Sequence, residues 1–570
     1  MRVSMLVRLF KPRRISSTTV NSKNLRTWSG GNVNLLFLPN FGFTKFNQKS
    51  NFSSKQESYF SAIGGESDDP PPELTPEQVT NILTMNEVKF FSSGRIKTIE
   101  CNQLAANNPT EDRLRVSKLN LKEFNSSSDN SSAQEATIFA VFDGHGGRLC
   151  ADIITKRLFS YIALALCSDP VNVASDAQNL DKIVEDLQMI PNVTKSLNLS
   201  YGPLACERIN GVTKERTKYY LEKYAQKLKE TSFQSIEDKL VDAFLQCDQD
   251  LSDEIEHGLE NPISNVLIHY YLSMAVSGCC VTLLMVHGDD CYIASTGDCK
   301  AVLGFREAGP ANYQVTKSID LTNEHNSDNA AETKRLLSSH PSNEKKTIIR
   351  NDRLLSHLMP FRAFGDFCYK WEIDKIKKAG LTKAFGLHII PPNYLTPPYL
   401  TAKPEVSKIS LSSKTDATIG DRFIVIATDG LWEQYGSSRC LIKQLFRHHF
   451  RLSSSFSSSN ENLSVPKKVD SYQSYQHEEV SKKIVQHAQS KKASCDDEQP
   501  KEDEDFIDIN SSTHLIRVAL GTPPLPNMVQ DDDLVPYQLQ HKRLSTFLTL
   551  PPHLVRNFRD DITVIVLKLD

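Results

Sequence analysis

Carboxylates at the ends of apolar segments are the side chains in this sequence whose chemistry is most readily inferred. Asp143, Asp298 and Asp429 each follow a short apolar segment, and Asp560 precedes another. The end of a strand is rigid, and a side chain there can project beyond the core into solvent or a cleft. A single Asp beside Gly at such a position is explained by turn conformation alone. Four positions of this kind indicate a shared purpose.

A metal site is the chemistry that these acids favour. Glu111, in the tripeptide EDR, adds a further carboxylate. Acidic side chains that converge without basic partners repel one another, so a cluster of them persists only when cations neutralise it. Oxygen ligands without nearby Cys or paired His are typical of magnesium or manganese, and not of zinc or copper.

The acids are positioned by segments with the composition of β-strands. These segments are short, β-branched or aromatic, and bounded by Gly, Asp or Asn: TIFAVF, CCVTLLMV, CYIAST, AVLGF, RFIVIA and ITVIVLKL. The stretch CCVTLLMVHGDDCYIASTGDCKAVLGF predicts three successive strands joined by two turns, an antiparallel meander with Asp298 in its second turn.

Apolar residues at helical spacing predict helices that pack outside these sheets. They recur from Ile153 to Ile162 and from Phe233 to Ile255. A helix that binds in a partner's groove has the same pattern, but an amphipathic helix mostly buries its own face. The apolar stretch Val266–Val286 is interrupted by polar residues, and it predicts a buried helix end followed by a core strand, so we expect no transmembrane span.

Overall composition excludes some classes of protein. The chain of 570 residues has 39% hydrophobic content, enough for a real core. Its 66 basic and 69 acidic residues give a formal charge of −3, so no nucleic-acid partner is expected. Its 12 cysteines lack the spacing of a zinc site or a disulfide framework, which predicts reduced thiols.

The N-terminal segment has a composition of its own. Residues 1–56 are rich in Arg, Lys, Ser and Asn and contain no Asp or Glu, which is typical of a mitochondrial presequence; a solvated basic tail is the alternative. Residues 57–75 read as a linker that ends in a helix cap at Thr75 before Pro76. The folded domain is expected at 76–570, with insertions near 123–135, 169–232 and 452–508.

Six motifs resemble, in their order along the chain, those of the metal-dependent type 2C Ser/Thr protein phosphatases. They are EDR, VFDGHGG, STGDCKAV, RAFGD, TDGLWE and DDITVIV. Within that family, CNQLAANNPTEDR, LTNEHN and LMPFRAFGD are most similar to the mitochondrial pyruvate dehydrogenase phosphatases. The resemblance implies an α+β fold for the catalytic domain, a four-layer α-β-β-α sandwich of two antiparallel sheets flanked by helices.

The resemblance also implies a site with two divalent cations, magnesium or manganese, and a weaker third one. Asp143 would bridge the two cations, and a water activated by them would attack phosphorus. His145 would protonate the leaving serine or threonine oxygen. The remaining implied ligands are the Gly144 carbonyl on the first cation, Glu111, Asp429 and Asp560 on the second, and Asp298 on the third.

Two positions depart from the usual family pattern. Most members carry an Arg four residues before the metal-binding Glu to bind the substrate phosphate, and this chain has Asn107 there, as do the pyruvate dehydrogenase phosphatases. The position is still assigned to the substrate phosphate, with weaker capture. Asp561 stands where Asn is usual and adds a negative charge, but it is not expected to be a ligand.

Further residues match family positions in supporting roles. Asp112 and Asp366 are assigned behind the ligands, with Asp366 supporting a metal-bound water. His325 is expected to cap a helix that starts around Asp328. Arg362 would either contact the phosphate or be held by a salt bridge.

The resemblance implies removal of phosphate from phosphoserine or phosphothreonine of mitochondrial proteins. The pyruvate dehydrogenase complex is the leading substrate and the matrix the leading location. One alternative is the same chemistry on another mitochondrial or cytosolic phosphoprotein. The other is a catalytically silent phosphoprotein-binding scaffold, although such relatives usually lose the metal carboxylates.

Overall fold

Short β-branched segments pair antiparallel to form two main sheets, and a computed structural model shows their arrangement. It describes residues 73–92, 94–120, 135–190, 203–308, 314–412, 419–457, 508–522 and 537–570. The strands there are β1 Val88–Phe91, β2 Ile96–Leu104, β3 Arg113–Asn120, β4 Glu135–His145, β5 Val184–Ile190, β6 Gly278–His287, β7 Asp290–Thr296, β8 Lys300–Ala308, β9 Gln314–Asp320, β10 Ile349–Arg350, β11 Arg353–Leu354, β12 Phe364–Gly365, β13 Glu405–Ser410, β14 Ile419–Ala427 and β15 Ile562–Leu569.

The first sheet has the order β1-β2-β15-β14-β8-β9, and the second has the order β13-β7-β6-β4-β3-β5, with β12 paired to β6. A separate two-stranded ribbon joins β10 and β11. In the first sheet β14 pairs with β15 and β8, and in the second β4 pairs with β3 and β6. All six strand segments predicted from the sequence lie within these strands.

The α-helices of the described residues are α1 Pro76–Leu83, α2 Leu149–Leu166, α3 Pro170–Ser175, α4 Ala177–Ile183, α5 Pro203–Glu230, α6 Ile236–Glu260, α7 Asn265–Val276, α8 Ala330–Ser338, α9 Lys345–Ile348, α10 Ile373–Lys378, α11 Leu381–Phe385, α12 Asp429–Tyr435, α13 Ser438–Ser457, α14 Ser511–Gly521, α15 Tyr537–Thr549 and α16 Pro552–Val555. The predicted cap of α1 is confirmed, because Thr75 and Gln78 form a reciprocal capping box ahead of the helix.

Strand β14 shows why the protein has four layers. Its side chains alternate between two hydrophobic clusters: Ile424 and Ile426 pack in the core between the sheets, while Phe423 and Val425 pack towards helices. Helices α12, α13 and α14 contact the first sheet, and α2 and α6 contact the second. The expected α-β-β-α sandwich is therefore confirmed.

The apolar stretch Val266–Val286 folds as predicted, into α7 followed by β6. Residues of α7 such as Met274 and of β6 such as Leu284 are fully buried in the protein core. Within the described residues, no helix combines the length and hydropathy needed to cross a membrane.

The predicted three-stranded meander is wrong in its third strand. Strands β6 and β7 form a hairpin, but β8 belongs to the other sheet, where it pairs with β14 and β9. The reason is that β13 already pairs with the free edge of β7. Gly297, with φ of 103°, directs the chain from one sheet to the other, so Asp298 lies between the sheets and not in a hairpin turn.

The region 169–232 contributes to the fold wherever the structure describes it. Strand β5 extends the second sheet by pairing with β3, and α5 buries Ile209 and Tyr224 in the main core. The expected presequence 1–56, most of the linker, residues 123–134 and residues 458–507 lie outside the described residues. The cysteines within the described ranges are free thiols, as predicted.

Candidate functional site

Three aspartates from different parts of the chain meet where the two sheets approach each other. Asp143 lies near the end of β4, Asp298 follows β7, and Asp429 begins α12 directly after β14. One carboxylate oxygen from each lies within 4.8 Å of those from the other two. We call this group the aspartate cluster. The cluster brings Asp143, in strand β4 of the second sheet, close to Asp429, which follows strand β14 of the first sheet.

Burial and mutual repulsion disfavour the charged forms of these carboxylates. Burial, and after it the charge of Asp429, raises the pKa of Asp143 well above its usual range, and the same two causes raise the pKa of Asp298 to about 7. Burial likewise raises the pKa of Asp429. One oxygen of Asp429, Oδ1, is buried and has no hydrogen-bond partner within the described protein. A bound cation would satisfy that oxygen and stabilise all three charges.

The donor atoms of the cluster fit a hard divalent cation. All three side chains offer carboxylate oxygens, which magnesium and manganese prefer. The thiol of Cys280 donates a hydrogen bond to Asp298. Burial raises the pKa of Cys280 well above its usual range, which favours the neutral thiol.

Asp560 lies beside the cluster and not within it. Its Oδ1 accepts a hydrogen bond of 2.7 Å from the Asp561 amide and also contacts the guanidinium of Arg556. A Cβ atom on Gly430 would lie 3.3 Å from the Asp560 Cβ and 2.1 Å from the Asp561 carbonyl oxygen. Glycine after Asp429 is therefore what allows the start of β15 to approach the cluster.

Glu111 packs against the end of β4. A Cβ atom on Gly144 would lie 2.5 Å from the Glu111 carbonyl oxygen, and the Gly147 amide donates to the Glu111 carboxylate. Burial raises the Glu111 pKa to about 7, while the charge of Arg556 opposes the shift. The structure therefore gathers Glu111, Gly144 and Asp560 around the cluster, but only Asp143, Asp298 and Asp429 form the closest set of oxygens.

His145 forms a close pair with Asp366. Its Nε2 lies 2.6 Å from Oδ2 of Asp366, a residue with φ of 49° whose amide donates to the Ser277 carbonyl. Burial lowers the His145 pKa, but the neighbouring Asp366 carboxylate raises it, and the net shift is upward. The sequence assigned Asp366 to a metal-bound water. Its carboxylate contacts His145, because β12 pairs with β6 and brings the two residues together.

Asp112 contacts two threonines that lie next to candidate ligands. Its Oδ2 accepts hydrogen bonds of 2.8 Å from the hydroxyl groups of Thr428 and Thr563. Thr428 immediately precedes Asp429, and Thr563 lies near the start of β15. Asp112 therefore fixes the ends of two strands that carry candidate ligands. Burial, followed by the charge of Asp561, raises its pKa well above the usual range.

Asn107 is bound by Asp561. The Asn107 amide nitrogen Nδ2 donates a 3.0 Å hydrogen bond to Oδ2 of Asp561, and the Asn107 backbone donates a 2.8 Å bond to Oδ1. Asp561 also accepts from the amides of Ala106 and Glu111. Asp561 thus holds the loop that precedes Glu111 in place.

The contacts of Arg362 and His325 decide which of their expected roles the structure shows. Arg362 forms a two-pronged salt bridge with Glu332, with N···O distances of 2.9 and 2.6 Å, so the salt-bridge alternative is the one found. The helix-capping role expected of His325 is wrong. Its Nδ1 lies 3.1 Å from the backbone nitrogen and oxygen of Gly297, and the side chain of Asn329 caps α8.

Two charged residues near the cluster, Glu433 and Arg556, were not predicted from the sequence. Glu433 lies one helical turn after Asp429 in α12, and burial followed by the charge of Asp429 raises its pKa to about 8. Glu433 follows Asp429 by four residues in the motif TDGLWE, and this helical spacing indicates that the two side chains lie on the same face. Arg556 precedes Asp560 by four residues in an irregular segment, where spacing alone gives no signal.

Comparison with known proteins yields a family match and several relatives. Residues 205–496 match the family model described as Protein phosphatase 2C. The chain is 33% identical over 521 residues to the mitochondrial [pyruvate dehydrogenase [acetyl-transferring]]-phosphatase 1 of Bos taurus, covering 87% of this chain and 83% of the relative. It is 31% identical over 514 residues to phosphatase 2 of the same name from Homo sapiens, covering 88% and 84%.

Among solved structures, a serine-threonine phosphatase 2C from Toxoplasma gondii aligns with a TM-score of 0.38 and 12% identity, over 85% of this chain and 98% of that one. The sequence match to the Bos taurus relative extends over most of both chains. This chain belongs to the protein phosphatase 2C family and is a protein serine/threonine phosphatase.

Proposed function

We propose that the chain is a magnesium- or manganese-dependent phosphatase that dephosphorylates the pyruvate dehydrogenase complex in the mitochondrial matrix. The observation that carries the metal dependence is the aspartate cluster, in which three carboxylates share a region 4.8 Å across. The substrate rests on the similarity to relatives named as pyruvate dehydrogenase phosphatases.

The residues that would hold two cations are Asp143, Asp429 and Asp560, with Glu111 and the Gly144 carbonyl beside them, and Asp298 is available to a third. When bound, the cations supply charge neutralisation for a phosphate dianion and activation of a water molecule. Hydrolysis of phosphate monoesters is among the slowest uncatalysed reactions known, with enzyme accelerations of up to about 10²¹, so a high local density of positive charge is needed.

His145 would deliver the proton to the leaving serine or threonine oxygen. The Asp366 carboxylate, 2.6 Å from Nε2, orients the ring and favours its protonated form. Asp112 would position the candidate ligands indirectly. It accepts hydrogen bonds from Thr428 and Thr563, and so holds the end of β14 beside the start of β15.

The mitochondrial location is supported by two independent features. The relatives are named as mitochondrial, and residues 1–56 contain no acidic residue, which is typical of a presequence. We assign residues 1–56 to the presequence, 57–75 to a linker and 76–570 to the catalytic domain.

The central experiment measures phosphate release by the purified chain from phosphorylated pyruvate dehydrogenase and from an unrelated phosphoserine protein. We expect release that requires Mg²⁺ or Mn²⁺, is abolished by EDTA, and is faster with phosphorylated pyruvate dehydrogenase. Equal rates on the two proteins would contradict the substrate assignment. No release at millimolar metal would favour a silent phosphoprotein-binding protein.

A cellular experiment tests location and target together. Fluorescently tagged chains with and without residues 1–56 should differ, with only the longer chain in mitochondria. In mitochondria that lack the protein, serine phosphorylation of pyruvate dehydrogenase should rise. Unchanged phosphorylation would remove this complex as the substrate.

A further inference from the structure

Most members of the family add the positive charge of an arginine at the position of Asn107 to that of the metal ions, and Asn107 supplies no such charge. Asn107 is neutral, and its side-chain nitrogen already donates a 3.0 Å hydrogen bond to Asp561. A phosphate dianion is bound best by guanidinium groups, which offer two parallel N–H donors.

Other basic side chains near this end of the sandwich are held by other partners. Arg113 is fully buried and pairs with Asp152 at 2.6 Å. Arg559 donates to the carbonyl oxygens of Ala105 and Asp560 and is 5% exposed. Arg362 is bound to Glu332, and Lys300 is bound to Asp320 and Glu324.

Arg556 differs from these residues in its position and exposure. Its guanidinium contacts the carboxylate of Asp560, and its side chain is 37% exposed. Its charge acts on three acids of the site, since it lowers the pKa of Glu111, Asp429 and Glu433 against the upward effect of burial. Arg556 therefore lies at the solvent side of the site, within electrostatic reach of the aspartate cluster.

The contacts also connect Arg556 to the position where the family usually has its arginine. Asp560 contacts Arg556 and accepts from the amide of Asp561, and Asp561 in turn binds the side chain of Asn107. Asn107 and Arg556 thus contact two successive residues of one short segment, although they are far apart in the sequence. A guanidinium at 556 can serve the same region of the site as one at 107.

We propose that Arg556 binds the phosphate group of the phosphoprotein substrate and supplies the positive charge that Asn107 lacks. The inference rests on the proposed phosphatase function. A guanidinium has five N–H donors, so Arg556 can keep a contact with Asp560 and still present donors to a phosphate. A competing role is charge balance, in which Arg556 only offsets the carboxylates.

The two roles differ in what the Arg556→Ala variant does to phosphate and to metal. If Arg556 binds phosphate, the variant should raise both KM for a phosphopeptide and Kd for inorganic phosphate by about 10- to 100-fold, as expected for loss of a charge-assisted hydrogen bond. Kd for inorganic phosphate is measured by thermal shift with Mn²⁺ present. Charge balance predicts that both constants stay unchanged, whereas Kd for Mn²⁺, measured by electron paramagnetic resonance, falls. That second pattern would overturn the proposal.

Two further variants sharpen the experiment. Arg556→Lys keeps the charge without the paired donors, and we expect an intermediate Kd for phosphate. Asn107→Arg in the Arg556→Ala background places a guanidinium at position 107, so Kd for phosphate should fall part of the way back to the value of the unmodified chain. A double variant that binds phosphate no better than Arg556→Ala would contradict the inference that positions 107 and 556 serve the same region of the site.

The control is Lys378→Ala, which removes an exposed cation paired with Glu260 in a remote helix, and it should leave Kd for phosphate unchanged. If Arg556→Ala fails to fold, Arg556→Gln provides the same comparison. Absence of phosphate release by the unmodified chain would refute the proposed function itself. An active unmodified chain with unchanged constants in Arg556→Ala would refute the role of Arg556 alone.

Discussion

The imidazole Nε2 of His145 lies 2.6 Å from the Oδ2 atom of Asp366, although the two residues are 221 positions apart. The pairing links the end of β4 to the residue that follows β12. Both strands pair with β6, so one strand sets the distance between the two side chains. The pair is partly shielded from solvent, where an ion pair is stronger than in water.

Replacement of Asp366 by Asn should weaken catalysis and change its pH dependence. The carboxylate raises the His145 pKa against the opposing effect of burial, so its removal lowers that pKa. The proton-donating form would then be lost at a lower pH, and the alkaline limb of kcat would move to lower pH. We expect kcat to fall about 10- to 100-fold, a common effect of removing a residue that orients a functional group. A lower kcat with an unchanged pH profile would argue for a merely structural role.

Gly278 provides a geometric test of the same pair. A Cβ atom there would lie 2.1 Å from Asp366 Oδ2 and 2.2 Å from His145 Nε2, so Gly278→Ala must push the two side chains apart. We expect a large loss of kcat in a chain that still binds Mn²⁺. The matched control is Gly211→Ala, in helix α5, where a Cβ atom meets nothing within 4 Å. That change should stabilise the fold by about 0.5–1 kcal/mol without loss of activity. Equal activity of the two variants would contradict the importance of the pair.

Asp143→Asn should separate metal binding from folding. The variant removes one carboxylate oxygen that would bind the metal. Because bound metal stabilises the transition state by several kcal/mol, we expect activity to fall roughly 100-fold or more. In EDTA the same change relieves repulsion within the aspartate cluster, so the melting temperature should not fall. Asp290→Asn, which affects a surface pair with Lys408, is the control. A melting temperature that drops sharply in EDTA would indicate a structural role for the Asp143 charge.

Stability of the metal-free chain should decrease as the pH rises. The pKa values of Glu111 and Asp298 are raised to about 7 and that of Glu433 to about 8, compared with roughly 4 in an unfolded chain. Between these limits the folded state binds more protons than the unfolded state, so the free energy of unfolding falls with increasing pH. Mn²⁺ competes with those protons, so it should raise the melting temperature more at pH 8 than at pH 6. A larger metal effect at pH 6 would contradict this account.

The buried ion pair between Arg113 and Asp152 should matter for stability and not for chemistry. Both side chains are fully buried, and an Nη2···Oδ1 distance of 2.6 Å joins them. Loss of the Asp152 carboxylate leaves the buried Arg113 charge without its counter-ion, so Asp152→Ala should destabilise the fold by about 3–5 kcal/mol in urea unfolding. The exposed pair Lys378–Glu260 is the comparison, and Glu260→Gln should have little effect. A small effect of Asp152→Ala would mean that water compensates Arg113.

The amino-acid sequence determined the elements and the chemical class of the site. Strand and helix segments were predictable because apolar periodicity and turn residues act over a few positions, as in Val266–Val286 and the Thr75 cap. The acids at the strand ends were identifiable because Asp143, Asp429 and Asp560 follow or precede unmistakable apolar segments. The order of the motifs then identified the family, since such an order is specific where a single motif is not.

Only the tertiary structure decided which of these residues meet. Strand β8 left the predicted meander because β13 occupies the edge of β7, and this brought Asp298 into the aspartate cluster. The contacts of Asp366 with His145 and of Asn107 with Asp561 were likewise outside the reach of sequence patterns. The physical reason is that local periodicity fixes the direction of a side chain from its own element, whereas distances between remote residues depend on sheet order and packing.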